Sequence, residues 1–226
     1  MQSSSVRKRP YDPEKDFAPV TQLVTFNMAL VVPAPMPVAT FDEFVAYAKS
    51  KPRSLVFATS GLGGASHDAW HDLVAETGID MTLVPYAGLA PIINEMLGGR
   101  VDAAFGALSA LQPHIASGKL KALAIGGTQR SKGLPNVPTF GELGHGAIDA
   151  TFFAGLVVPA KTSAQVVEKL AHDVRDVMAS PAFVAKNVDP FALEVSAQGP
   201  RVFSVFLAED RKRHAERIKR SGRKAD

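Results

Sequence analysis

Cysteine is absent from the 226 residues. That excludes disulfides, thiolate nucleophiles and cysteine-ligated metal sites together, and leaves the compartment open. No apolar run reaches the ~18 residues needed to cross a bilayer, so any dealing with a membrane passes through a partner. Neither sign of charge dominates: the net charge is +3, with 21% charged and 46% hydrophobic residues. Such a composition excludes wholesale disorder and gives room for one large domain or two small ones. The start, Met1 to Pro10 with Arg7, Lys8 and Arg9, is polar and basic with no apolar stretch behind it. It does not read as a secretory signal. A second basic cluster comprises Arg211, Lys212, Arg213, Arg217, Lys219, Arg220, Arg223 and Lys224. No aromatics interleave it, so a solvated final helix is expected and a nucleic-acid partner is not.

What is present alternates strand and helix. Val20–Leu23 and Met28–Val32 read as two strands, followed by a stiff connector at Pro33, Pro35 and Pro37. Thr40 and Glu43 form a capping box for a helix ended by Lys51-Pro52. Strands follow at Leu55–Ala58, Met81–Val84, Val101–Phe105 and Leu120–Ile125, with helices between them at Ser66–Glu76, Ala90–Leu97 and Ser109–Ala116. Thr139 with Glu142 predicts a second capped helix, short and ended by Gly144. A strand at Phe152–Val158 leads to an amphipathic helix, Ser163–Ala179, with Val166, Val167, Leu170, Val174, Val177 and Met178 on its apolar side. One or two helical turns at Pro181–Lys186, a strand at Phe191–Val195 and a final helix from Pro200 to Arg220 complete the chain. The repeated unit implies an α/β fold with mostly parallel sheets and helices on both faces, where ligands bind beyond the carboxyl ends of strands.

Three strand ends carry the residues of interest. The first is Thr59-Ser60-Gly61-Leu62-Gly63-Gly64, running through Ser66 to His67. Glycines admit a ligand close to the backbone, the helix start presents N–H groups and positive potential, and Thr59 and Ser60 can donate hydroxyls to an anion. No Lys-Ser/Thr follows, so it is not a P-loop, and the spacing does not fit a dinucleotide fingerprint. The second is Tyr86-Ala87-Gly88 and the third Phe105-Gly106-Ala107. Small or hydroxyl residues at three successive strand ends favour one pocket. His67 and His71 share a helix face and could hold zinc, but no convincing third ligand follows. The expectation is one histidine at the pocket rim and one at the surface, with no metal and no cofactor. No Ser–His–Asp arrangement or nucleophile elbow stands out.

Six segments in order resemble the tripartite tricarboxylate transporter substrate-binding, or Bug, family. They are Tyr11 to Val20, Ser60 to His67, Val84-Pro85-Tyr86-Ala87-Gly88, Leu97-Gly98-Gly99-Arg100-Val101-Asp102, Pro113-His114-Ile115 with Gly118 to Ala124, and Leu134 to Thr139. Each motif alone is weak, while the ordered set is strong. The resemblance implies a periplasmic binding protein of type II-like α/β fold, two lobes with a hinged cleft, a small carboxylate as ligand and membrane transporter subunits as partners. It implies no catalysis, no metal, a monomer when complete, and a first lobe of residues 1–27 and 148–226 around a second lobe of 28–147. The ligand-binding residues it implies are Thr59, Ser60, Gly61, Gly63, Gly64, His67, Tyr86, Gly88 and Gly106.

Departures from the family pattern are Gly64 where Ser or Thr is usual, Ala87 where Lys is usual, and Gly106 where Asp is common. Family members also carry a signal peptide and several dozen residues before the Tyr-Asp-Pro segment, where this chain has about ten polar and basic residues. The expectation is a truncated chain, with an incomplete first lobe lacking central strands and weak ligand binding. Two rivals remain open at this point: a cytoplasmic interaction protein with a basic C-terminal helix, and a metal-dependent hydrolase at His67 and His71.

Overall fold

Prolines at 33, 35 and 37 end regular pairing, and the strand they end is 17 residues long. A computed structural model describes residues 11–220; Arg7, Lys8, Arg9, Arg223 and Lys224 of the basic clusters lie outside them. In chain order the elements are β1 (Phe17–Pro33), α1 (Phe41–Ser50), β2 (Val56–Thr59), α2 (Ala65–Thr77), β3 (Thr82–Pro85), α3 (Leu89–Leu97), β4 (Ala103–Ala107), α4 (Leu108–Ala116) and β5 (Leu120–Ile125). Then follow β6 (Thr151–Pro159), α5 (Ala164–Ala179), α6 (Pro181–Asn187), a 3₁₀ turn at Asp189–Phe191, β7 (Leu193–Gln198) and α7 (Pro200–Arg220). The two strands expected at 20–23 and 28–32 are one. Thr25 and Phe26, between the two apolar runs, favour extended backbone, and Asn27 is buried within the strand. The chain divides into two units, Asn27–Phe152 and the chain on either side of it.

In the Asn27–Phe152 unit the strands run in the order β3-β2-β4-β1-β5. β2 is parallel to both β3 and β4, whereas β1 is antiparallel to both β4 and β5. The sheet is therefore mixed, and the expected parallel arrangement holds for β3, β2 and β4. Alternation of strand and helix dictates parallel direction only where a crossover returns the chain to the same edge, and the proline connector carries no such signal.

The capping box of α1 forms as its sequence predicts: Glu43 N–H donates to Thr40 Oγ1 at 3.2 Å, and the Glu43 carboxylate accepts from Thr40 N–H at 3.3 Å. The second box also forms, with Thr139 N–H to Glu142 at 2.8 Å and Glu142 N–H to Thr139 Oγ1 at 3.1 Å, yet it closes a turn and no helix follows. Gly141, Gly144 and Gly146 leave too few residues to propagate one. Arg130, bonded to the Glu142 carboxylate at 2.9 Å, and the Thr139 amide hold that carboxyl below its ordinary pKa. The Leu97–Asp102 motif is a helix-to-strand joint: Gly98 ends α3, Gly99 turns with φ of 72°, and Asp102 Oδ2 accepts from Val56 N–H at 2.7 Å.

The core of this unit is a chain of rings. Trp70 lies 4.4 Å from Phe57, Phe57 is 5.7 Å from Phe105, Phe105 is 5.9 Å from Phe140, and Phe140 is 5.5 Å from Phe41. This line ties α2, β2, β4, the Thr139 turn and α1 together, and its four phenylalanines are almost wholly buried.

In the other unit the first half of β1 pairs with β6 and, antiparallel, with β7. Its core is thinner. Val20 packs with Val167 and Ala171, and Val24 with Met178 and Val188. The apolar side expected of α5 is narrower than its sequence implies: Val166 is 47% and Val177 49% exposed, since each stands about 100° around the helix from its buried neighbour, Val167 or Met178. The last strand begins two residues late because Pro190 sets a 3₁₀ turn that holds Phe191. On α7, Arg211 pairs with Glu14 at 3.0 Å, and Arg213 with Asp210 at 3.4 Å.

Phe57→Ala is expected to lower unfolding free energy by ~3–5 kcal/mol through loss of buried area and the cavity left behind. Thr40→Ala should cost only ~1 kcal/mol through loss of the cap. Urea denaturation of the two variants checks both, and a Phe57 variant no worse than the Thr40 variant would refute the ring chain as the core.

Candidate functional site

Pairing decides where the three strand ends lie. Thr59, the last residue of β2, stands opposite Pro85, the last of β3, and Ala58 stands opposite Ala104 of β4. Because the three strands are parallel, their carboxyl ends share one edge of the sheet. Tyr86 N–H donates to Thr59 O at 2.8 Å and so fixes the second turn beside the first. From the same edge α2, α3 and α4 begin, at Gly64, Gly88 and Ala107, and none of the three has a side-chain cap. The first N–H groups of each helix lack intrahelical partners and carry positive potential.

No charged side chain lies in Thr59–Ser66, Tyr86–Ala90 or Phe105–Gln112. These segments present neutral donors and helix starts, which suits an anion; Asp68, buried in the first turn of α2, is the nearest acid in the sequence. Thr59 is fully buried and Ser60 exposed. Gly61 and Gly63 turn the chain with φ of 99° and 74°, and Gly64 precedes α2 in extended backbone. Tyr86 and Gly88 are partly buried.

Two residues singled out from sequence have other work to do. His67 is buried, at 6% exposure, and its Nδ1 accepts from Gly63 N–H at 3.0 Å. The Nε2 must then carry the ring proton, which faces His71 Nε2 at 3.3 Å. His67 is thus a brace beneath the glycine turn rather than a group at a pocket rim, and His71 is its ring neighbour rather than an isolated surface residue. Both His67 nitrogens are committed, and among the described residues no group of three or more His, Asp or Glu could hold a metal ion. Gly106 is buried in β4, and a Cβ there would lie 2.7 Å from Leu89 Cδ1 and 3.0 Å from Leu111 Cδ1. Its missing side chain makes room for packing against α3 and α4, and an Asp at this position would aim its carboxylate at two leucines.

The sequence reading passed over Ser66. It is 3% exposed, and its Oγ lies 2.8 Å from Thr59 Oγ1 and 2.9 Å from Ser60 Oγ. The signal was available: glycine at the cap leaves no side chain to serve the helix start, and a hydroxyl two residues on faces back toward the strand end. A hollow of about 680 Å³, lined by Pro33, Met36, Tyr47, Met96, Val101 and Lys119, opens at the opposite edge of the sheet. Its walls are mostly apolar, with Tyr47, Asp102 and Lys119 as the polar side chains, and none of the three strand ends lines it, so size does not locate the chemistry.

Comparison with known proteins agrees with this geometry. Residues 3–223 match the profile of the family described as tripartite tricarboxylate transporter family receptor. The protein BugT of Bordetella pertussis is 29% identical over 215 residues, covering 95% of this chain and 66% of its own. A solved R. palustris protein with adipate superposes with a TM-score of 0.86 at 26% identity, over 96% of this chain and 72% of that one. MatC from Rhodopseudomonas palustris with bound malate gives 0.80 at 26% identity, over 94% and 73%. The chain spans 61–66% of the length of three curated relatives it matches. The fold of these neighbours is the periplasmic binding protein type, as the ordered motifs imply.

His67→Ala should free the Gly63 amide, raising its hydrogen-exchange rate, and lower stability by ~1–3 kcal/mol as a partly buried donor loses its acceptor and a buried ring is removed. Gly106→Asp should be worse than Gly106→Ala, because it adds a buried carboxylate to the crowding. Exchange mass spectrometry and urea curves check these; an unchanged Gly63 amide in the His67 variant would remove the brace.

Proposed function

The chain belongs to the tripartite tricarboxylate transporter family of receptors, and from that premise we propose that it captures a small carboxylate in the periplasm and presents it to a membrane transporter. The observation that carries this reading is the convergence of three uncapped helix starts and the Ser60 hydroxyl, backed by buried Thr59, on one sheet edge, in turn segments that hold no charged side chain ahead of Asp68 in the first turn of α2. An ionised carboxylate is an acceptor only, and neutral donors meet it without importing a countercharge. Neighbours of the same fold are solved with adipate and with malate, both dicarboxylates, so a dicarboxylate is the first ligand class to try. The ligand-facing set is Ser60, Gly61, Gly63, Gly64, Tyr86 and Gly88, with Thr59 buried behind Ser60, His67 bracing the turn and Gly106 setting the packing beneath it.

The same residues are read as binding a ligand without turning it over. The hydroxyls contact one another, the Ser60 amide and the Gly61 carbonyl, and the His67 nitrogens face Gly63 N–H and His71, so neither nitrogen is placed as a base beside a hydroxyl. The basic final helix favours no rival reading, because Arg211 and Arg213 are paired within their own unit. Among the described residues no helix is long and apolar enough to cross a membrane.

A thermal-shift screen with acetate, malate, adipate and citrate tests the proposal. A ligand at a hundred times its Kd adds about 2.7 kcal/mol, which raises Tm by roughly 5 °C or more in a chain of this size. At least one of the dicarboxylates is expected to do so. A folded protein that none of these acids stabilises would overturn the reading.

A further inference from the structure

The Ser66 hydroxyl lies beneath the first turn, nearly out of reach of solvent, yet it joins every polar group there. Its Oγ accepts from Ser60 N–H at 3.1 Å and lies within hydrogen-bond distance of both Thr59 Oγ1 and Ser60 Oγ. Thr59 Oγ1 in turn stands 3.2 Å from Gly61 O, an acceptor. Each hydroxyl owns one proton and two lone pairs, so the protons can be counted.

Two arrangements satisfy the contacts. In the first, Thr59 donates to Gly61 O, Ser66 donates to Thr59, and Ser60 donates to Ser66. Ser60 then shows only lone pairs to the outside. In the second, Thr59 donates to Ser66, Ser66 donates to Ser60, and the Ser60 O–H points outward. The two differ by rotation of three O–H bonds and by loss of the longest bond in the set, the one to Gly61 O. An ionised carboxylate can be met only by the second.

We propose that Ser66 is a positioning residue for anion recognition: by accepting from Thr59 and donating to Ser60 Oγ, it turns the exposed Ser60 hydroxyl into a donor held toward the ligand. This rests on the carboxylate reading given above. A hydroxyl that both receives and gives a hydrogen bond is polarised in the direction of giving. Ser66 also holds Ser60 through the backbone N–H, so the donor is fixed in place as well as in sense. The ligand itself selects the arrangement, and a ligand that brings a donor in place of a carboxylate selects the first.

The test is a double-mutant cycle in isothermal titration with malate and adipate, using the wild-type chain, Ser60→Ala, Ser66→Ala and the double variant, with Tm of each unliganded protein measured alongside. Loss of a charge-assisted hydrogen bond predicts about tenfold weaker binding for Ser60→Ala and about five- to tenfold for Ser66→Ala. Because Ser66 acts through Ser60, the double variant should bind no more weakly than Ser60→Ala. Should Ser66→Ala fail to fold, Ser66→Cys keeps the shape with a weak donor, and its two- to fivefold loss should likewise vanish in the Ser60→Ala background (about half the effect of full removal). Losses that add, or an Ser66 variant that binds as well as wild type, would overturn the positioning role while leaving the carboxylate function standing. A wild-type chain that binds neither acid would overturn both.

Discussion

The parallel register of β2 between β3 and β4 is the constraint on which the rest of the binding edge depends. Antiparallel strands would send successive turns to opposite edges, and the three helix starts would never meet. The register also brings Thr59 O to Tyr86 N–H, 2.8 Å apart, so the second turn hangs from the last residue of the central strand. The ring chain behind it makes this register costly to slip. Moving β2 by one residue would turn Phe57 from Trp70 and Phe105 toward the opposite face. Packing energy well away from the turns thus holds their geometry.

Neutrality at this edge has a consequence for selectivity. A salt bridge would supply attraction to any anion, whatever its shape. Helix starts and hydroxyls reward only acceptors that reach them at hydrogen-bond distance, so discrimination rests on geometry and on the sense of each donor. Ala87 fits this pattern, being a small side chain in the turn between Tyr86 and Gly88. The Ser66 network extends the same logic one layer inward.

Much of this was legible in the sequence, because it was written locally. Capping boxes, glycine stops and short apolar runs placed most helices and strands to within two residues, and the three strand ends were correctly taken as neighbours. What was not legible depended on partners distant in sequence. The fusion of β1 across Asn27 and its reversed direction follow from what it pairs with, not from its own residues. Thr139 and Glu142 make their box whether or not a helix follows, so the motif could not report the turn. The place of Gly106 is set by Leu89 and Leu111, and the brace at His67 by Gly63, contacts that spacing alone does not reveal.

The motifs that carry the family likeness therefore divide into two kinds. Leu97–Asp102 joins α3 to β4 and hands a carboxylate to the first N–H of β2; Leu134–Thr139 leads into the box that Arg130 clamps; Gly106 leaves space for two leucines. These contacts are internal to the fold. The Thr59–His67 segment, the Tyr86 turn and the start of α4 put donors at the edge, and within the first of these the exposed group is Ser60 alone among the hydroxyls. A likeness in ordered motifs is thus chiefly a likeness of scaffold. Under the proposed function the few atoms that would choose a ligand sit on top of it, held by buried neighbours such as Ser66 and His67 that a search for surface groups passes over.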